Sequence, residues 1–71
     1  MNIHQDHIII EVSGGCITNI VSNMPVSITI IDHDNLREGQ DVEDIATYAP
    51  DAVLTNEELK QQFEETVSEY R

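Results

Sequence analysis

Apolar residues step by two in the first half of the chain and by three and four near its end, so two kinds of element are written into one short sequence. His7-Ile-Ile-Ile-Glu-Val12 and Cys16-Ile-Thr-Asn-Ile-Val-Ser22 are rich in β-branched residues and flank Ser13-Gly14-Gly15. Two glycines between such runs supply the positive φ angles of a two-residue hairpin turn. With Gly14 and Gly15 as the loop, the spacing sets Val12 opposite Ile17, Ile10 opposite Asn19 and Ile8 opposite Val21, and gives those six residues one face of the sheet, the expected core face. Ile9 and Ile20 then face each other on the other side. A third run, Val26-Ser-Ile-Thr-Ile-Ile-Asp32, alternates Val26, Ile28 and Ile30 against Ser27 and Thr29. It follows the short Asn23-Met24-Pro25 connection, which predicts a three-stranded antiparallel β-meander with Ile31 on the outward side.

The last segment has helical period. Thr55-Asn-Glu-Glu58 fits a capping box, Leu54 is placed to staple onto Leu59, and Leu59, Phe63, Val67 and Tyr70 fall on one stripe of a helix from Asn56 to Tyr70. Between sheet and helix, Asp41 is suited to cap a short helical turn that sets Val42, Ile45, Ala46 and Ala49 on one side, with Pro50 limiting its extension. The predicted fold class is α+β: a meander over residues 7–32, an acidic connection over 33–54, and an amphipathic helix over 56–70 packed on one sheet face. One domain over residues 1–71 is expected, with a thin core, because a chain of this size buries only about 60% of the surface its unfolded form exposes.

Charge is distributed unevenly along the chain. Of fourteen acidic residues, only Asp6, Glu11 and Asp32 precede position 34, and the remaining eleven share the back half with all three basic residues, Arg37, Lys60 and Arg71. The net charge of −11 lies outside the magnitude of about 2–8 that suits a small domain, and like charges crowded together repel. Such a chain repels phosphate, so direct binding to nucleic acid or to anionic lipid is not expected. Cys16 is the single cysteine, Met1 to His7 has no basic leader, and the longest apolar run, Ile8 to Ile10, is far too short for a membrane span. A reducing, cytoplasmic setting is expected.

Candidate chemistry is sparse. His4, His7 and the Asp32-His33-Asp34 triplet carry metal-binding residue types, but their spacing is weak evidence for a shared site and they are read as ordinary surface histidines. Asp32 to Asn35 resembles the opening of a calcium loop, and Glu43 stands at the twelfth position; Arg37, however, occupies the sixth, where the loop needs glycine. The alternative is a polar turn in which Asp and Asn side chains bond nearby backbone amides. Cys16 follows a turn with no histidine patterned to it, and adjacent glutamates such as Glu57-Glu58 and Glu64-Glu65 point about 100° apart on a helix, so nothing pairs a nucleophile with a base. No enzyme activity, metal or cofactor is predicted.

The stretch Ile10-Glu-Val-Ser-Gly-Gly15 followed by Pro25-Val-Ser-Ile-Thr-Ile-Ile-Asp32-His-Asp-Asn35 resembles a group of short, largely uncharacterised bacterial proteins carried by phages and mobile elements. The resemblance covers about half the chain and implies a genetic setting, with no catalytic residues. In size and acidity the chain is also similar to phage-encoded inhibitors that imitate DNA, of the anti-CRISPR and anti-restriction kind; that likeness is one of composition. The expectation is an acidic binding protein whose partner is a basic, nucleic-acid-handling protein, engaged through Asp41, Glu43, Asp44, Glu57, Glu58, Glu64, Glu65 and Glu69. The alternative is an accessory module or homodimer associating through the outer sheet face at Ile9, Ile20 and Ile31, with acidity serving solubility.

Overall fold

The structure, a computed structural model, describes Ile3 and residues 5–71. β1 (Ile8–Ser13) and β2 (Cys16–Ser22) form the expected antiparallel hairpin, and Gly14 and Gly15 take φ of 58° and 78°, the two positive angles that the tight turn demands. Next to the turn Val12 opposes Ile17, as expected. One residue further on the ladder shifts: Glu11 opposes Asn19, Ile10 opposes Ile20, Ile9 opposes Val21 and Ile8 opposes Ser22, leaving Thr18 as a bulge.

That bulge overturns the expected pairings of Ile10 with Asn19 and Ile8 with Val21, and it exchanges the faces. Ile9 and Val21 now share the side on which Asn19 Nδ2 donates to Glu11 Oε2 at 2.7 Å. The physical reason lies in what each register puts together. Either register sets two isoleucines against isoleucine or valine and one against a polar residue, but a regular ladder sets Glu11 against Thr18, whereas the bulged one matches the acid with the Asn19 amide.

The third run does not complete a meander. Only Ile28–Thr29 (β3) is strand, and it pairs with β4 (Thr47–Tyr48) in a separate two-stranded antiparallel sheet, Ile28 opposite Tyr48 and Thr29 opposite Thr47. The place beside β2 belongs to β5 (Ala52–Val53), which runs parallel to it with Val21 opposite Ala52 and Ser22 opposite Val53. Hydrogen bonds explain the exchange. Asp51 N–H donates to Ile20 O and Leu54 N–H to Ser22 O, both at 2.7 Å, and the Asp51 carboxylate accepts Ile20 N–H at 2.9 Å, so residues 51–54 satisfy the β2 edge with a side chain as well as backbone. Meanwhile Ser22 Oγ donates to Met24 O and Asn23 Oδ1 accepts His7 N–H, turning the chain away from the sheet before Pro25.

The third run ends where Asp32 Oδ1 accepts the amides of Asp34 and Asn35 and caps the five-residue helix α1 (His33–Arg37). A 3-10 turn at Val42–Asp44 follows. Asp41 stands at its start as expected but makes no side-chain cap; the turn closes through Asp44 N–H to Asp41 O at 3.0 Å, Val42 is exposed, and Ala46 and Ala49 are not helical because Thr47–Tyr48 is drawn into β4.

α2 (Asn56–Val67), extended by a 3-10 turn at Ser68–Tyr70, matches the expected helix. Both halves of the capping box are present: Glu58 N–H donates to Thr55 Oγ1 at 3.2 Å and Thr55 N–H to Glu58 Oε1 at 3.0 Å. The stripe of α2 is buried at its start and open at its end. Leu59 is fully buried with Ile3 and Val21, with Ile9, Ala52 and Leu54 packed around them; Phe63 and Val67 are half-buried and Tyr70 is 81% exposed. The α+β class thus holds, with five strands in two sheets among the described residues and a helix on the Ile9–Val21 side. The Cα radius of gyration is 14.2 Å, against about 11 Å for a compact chain of this length, and the extents are 40 × 29 × 16 Å. Buried apolar residues among those described are Ile3, Ile20, Val21 and Leu59, a thin core in a flattened molecule.

Candidate functional site

The acidic face of α2 follows from the same periodicity that buries Leu59. At about 100° per residue, Glu57, Glu58, Glu64, Glu65 and Glu69 fall within an arc of about 140° centred opposite the Leu59, Phe63, Val67 and Tyr70 stripe. Anchoring the stripe therefore turns all five carboxylates to water. Glu57, Glu58, Glu65 and Glu69 are exposed and Glu64 is half-exposed. Lys60 is the single cation within α2.

Local bonds hold several of these groups in place. Glu58 is tied into the capping box, and the hydrogen bond from the Thr55 backbone, followed by that from the Thr55 hydroxyl, lowers its pKa below the ordinary glutamate value. Gln61 Nε2 donates to Glu65 Oε1 at 3.1 Å, one turn apart, and Arg71 Nη1 reaches Glu64 Oε2 at 3.3 Å. A hydrogen bond to Glu69, then its charge, raises the Tyr70 phenol above its ordinary value. Glu57 and Glu58 also lie in the first turn, where the helix dipole favours negative charge, so part of the mutual repulsion is offset.

The three other predicted carboxylates belong to a different element. Asp41, Glu43 and Asp44 are all exposed in or beside the Val42–Asp44 turn. Asp44 lines a polar cavity of about 360 Å³ with Asp32, Asp51, Asn19, Gln40 and Tyr48. Asp51, which bonds β2, was not singled out by sequence reasoning; it precedes a two-residue strand that no periodicity marks.

The alternative set is divided by the bulge. Ile9 packs against the core beside Val21, Ile20 is buried at the opposite face, and Ile31 alone is exposed, so these three do not form an outward patch. Exposed apolar side chains gather elsewhere, at Ile8, Ile10 and Val12 of β1 and at Ile17 of β2, with Ile31 across a groove. The spacing places Ile8, Ile10, Val12 and Ile17 on one face as expected, but that face is open rather than core, because the bulge moves Val21 to the side of Ile9, where α2 packs.

The histidines and the cysteine remain separate from one another. His7 is held through its backbone by Asn23, His33 opens α1 on the surface, His4 lies outside the described residues, and Cys16 is an exposed free thiol. Among the described residues no group of three or more His, Cys, Asp or Glu side chains is arranged to hold a metal ion. Asp32, first in the calcium-loop pattern, spends Oδ1 on capping α1, the polar-turn arrangement. No helix in the described residues is long and apolar enough to cross a membrane. No protein-family model matches the chain, and neither a curated protein nor a solved structure is found similar to it. The likeness to mobile-element proteins therefore rests on the quoted residues alone.

Proposed function

We propose that this chain is a non-enzymatic acidic binding protein that occupies the basic groove of a nucleic-acid-handling protein by imitating DNA charge, in the cytoplasm of a bacterial host. The observation that carries the reading is the row of five glutamates along α2 and the 3-10 turn that extends it, turned outward by burial of Leu59 and steadied by the Thr55–Glu58 capping box. Glu57 to Glu69 spans about 18 Å of helix and holds one carboxylate per roughly 4 Å, with Lys60 among them and Arg71 on Glu64, against one phosphate per 3.4 Å along a single DNA strand. A groove lined with Lys and Arg to receive a strand of phosphates meets a comparable density here. The proposal needs no catalytic group, cofactor or metal, and Asp41, Glu43 and Asp44 add charge from a second element.

The test is competition. A basic target captured from bacterial lysate on immobilised protein is offered duplex DNA together with the wild-type chain or the quadruple variant Glu57→Gln, Glu58→Gln, Glu64→Gln and Glu65→Gln. Glutamine retains the capping box, so the fold is kept while four charges are removed. Wild type should displace DNA and the variant should not; equal competition by both refutes the reading.

A further inference from the structure

We propose that the open edge of β1 and the apolar groove beside it receive an extended segment of another protein, one in which apolar residues alternate with Lys or Arg. In the sheet order β1-β2-β5, β1 is terminal among the described residues. Edge strands are ordinarily blunted by lysine, proline, a bulge or short length. β1 is six residues long, reads Ile-Ile-Ile-Glu-Val-Ser, and leaves the bulge to its neighbour. Its one charge, on Glu11, is engaged by Asn19 across the hairpin.

The face beside that edge is built to take side chains. Ile10 is 43% and Val12 64% exposed, and with Ile17 and Ile31 they line a groove of about 480 Å³ whose rim carries Asp32 and Asp34. A strand added to β1 sends every second side chain toward this groove and satisfies the unpaired backbone groups of the edge. Charge selects the occupant. Asp34 is paired with Arg37, but Asp32 and the net charge of −11 still attract alternating cations, whereas a second copy brings another −11. The flattened shape and thin core explain why these apolar groups are not covered from within. This surface lies on β1 and its neighbours, so it stands or falls independently of the glutamates on α2.

Two end-capped heptapeptides of identical composition, one alternating lysine and valine and one with the lysines and valines in separate blocks, serve as probes, titrated by fluorescence anisotropy into the full chain. The alternating peptide should bind at least tenfold more tightly than the block peptide and shift the amide resonances of β1. Ile10→Lys should remove that preference, and Val12→Lys, at a still more exposed position, repeats the test should Ile10→Lys fail to fold. The quadruple glutamine variant of α2 should weaken both peptides alike and keep their ratio. Equal binding of the two peptides, resonance shifts confined to α2, or a preference that survives both lysine variants overturns the proposal. A concentration-dependent dimer in sedimentation equilibrium that Val12→Lys abolishes also overturns it, by assigning the groove to a second copy.

Discussion

α2 and the β1–β2 hairpin bury apolar residues by different rules, and the contrast explains the surface each presents. In α2 the 3.6-residue period separates Leu59 from the glutamates within a single element, so the fate of each side chain follows from its sequence position. In the hairpin, isoleucines occupy both faces, and which face meets the core depends on the single unpaired Thr18. A helix stripe is a local property. A strand face is a property of the pairing, and one residue of slip inverts it.

Stability measurements sharpen that contrast. Leu59→Ala removes the one fully buried large apolar side chain among the described residues and should cost about 3–5 kcal/mol, close to the whole stability of a small domain. Phe63→Ala should cost about 1–2 kcal/mol, because the ring is only half-buried. Chemical melts of the two variants check the order; a larger loss for Phe63 would relocate the core toward the end of α2. Asp51→Ala should cost about 1–2 kcal/mol and speed amide exchange at Ile20, since the carboxylate accepts that N–H at the parallel β2–β5 junction. Unchanged exchange at Ile20 would return the β2 edge to other partners.

At the start of α2 the expected effects are smaller. Thr55→Ala should cost about 1 kcal/mol, with amide exchange faster over residues 56–60. The lowered pKa of Glu58 gives the same cap a pH dependence. A carboxyl whose folded value lies below its unfolded value adds stability that is present above the unfolded value and lost as pH falls through the folded one. Acid titration of the wild type should therefore loosen this end of the helix, and Glu58→Gln should flatten that part of the profile.

The elements differed in how far the sequence revealed them for the same physical reason. Gly14-Gly15, Thr55 to Glu58 and the Leu59, Phe63, Val67 spacing are signals contained within a turn or two, and each marks an element found in place. The parallel pairing of Ala52–Val53 with β2 depends on contact between segments distant in sequence, and the bulge at Thr18 on which cross-strand pairs form within the hairpin, neither of which the alternation of apolar residues encodes. Val26 to Asp32 alternates as a strand should, yet its position beside β2 is taken by residues 51–54, whose claim rests on the Asp51 carboxylate. The acidic row on α2 was legible because it is the complement of a helix stripe. The groove at Ile10, Val12, Ile17 and Ile31 was not, because the spacing gives Ile10, Val12 and Ile17 a common face but assigns that face to the core, whereas the core forms on the Ile9–Val21 side.

The salt dependence of binding to the captured basic partner, measured for wild type and for the quadruple glutamine variant, tests the central claim most directly. Carboxylate-driven association should weaken steeply as ionic strength rises, mainly through slower association, and the variant should bind weakly with a nearly flat response. A variant that binds as tightly as wild type, with the same dependence on salt, would contradict the account and reduce the row of glutamates on α2 to a solvated face.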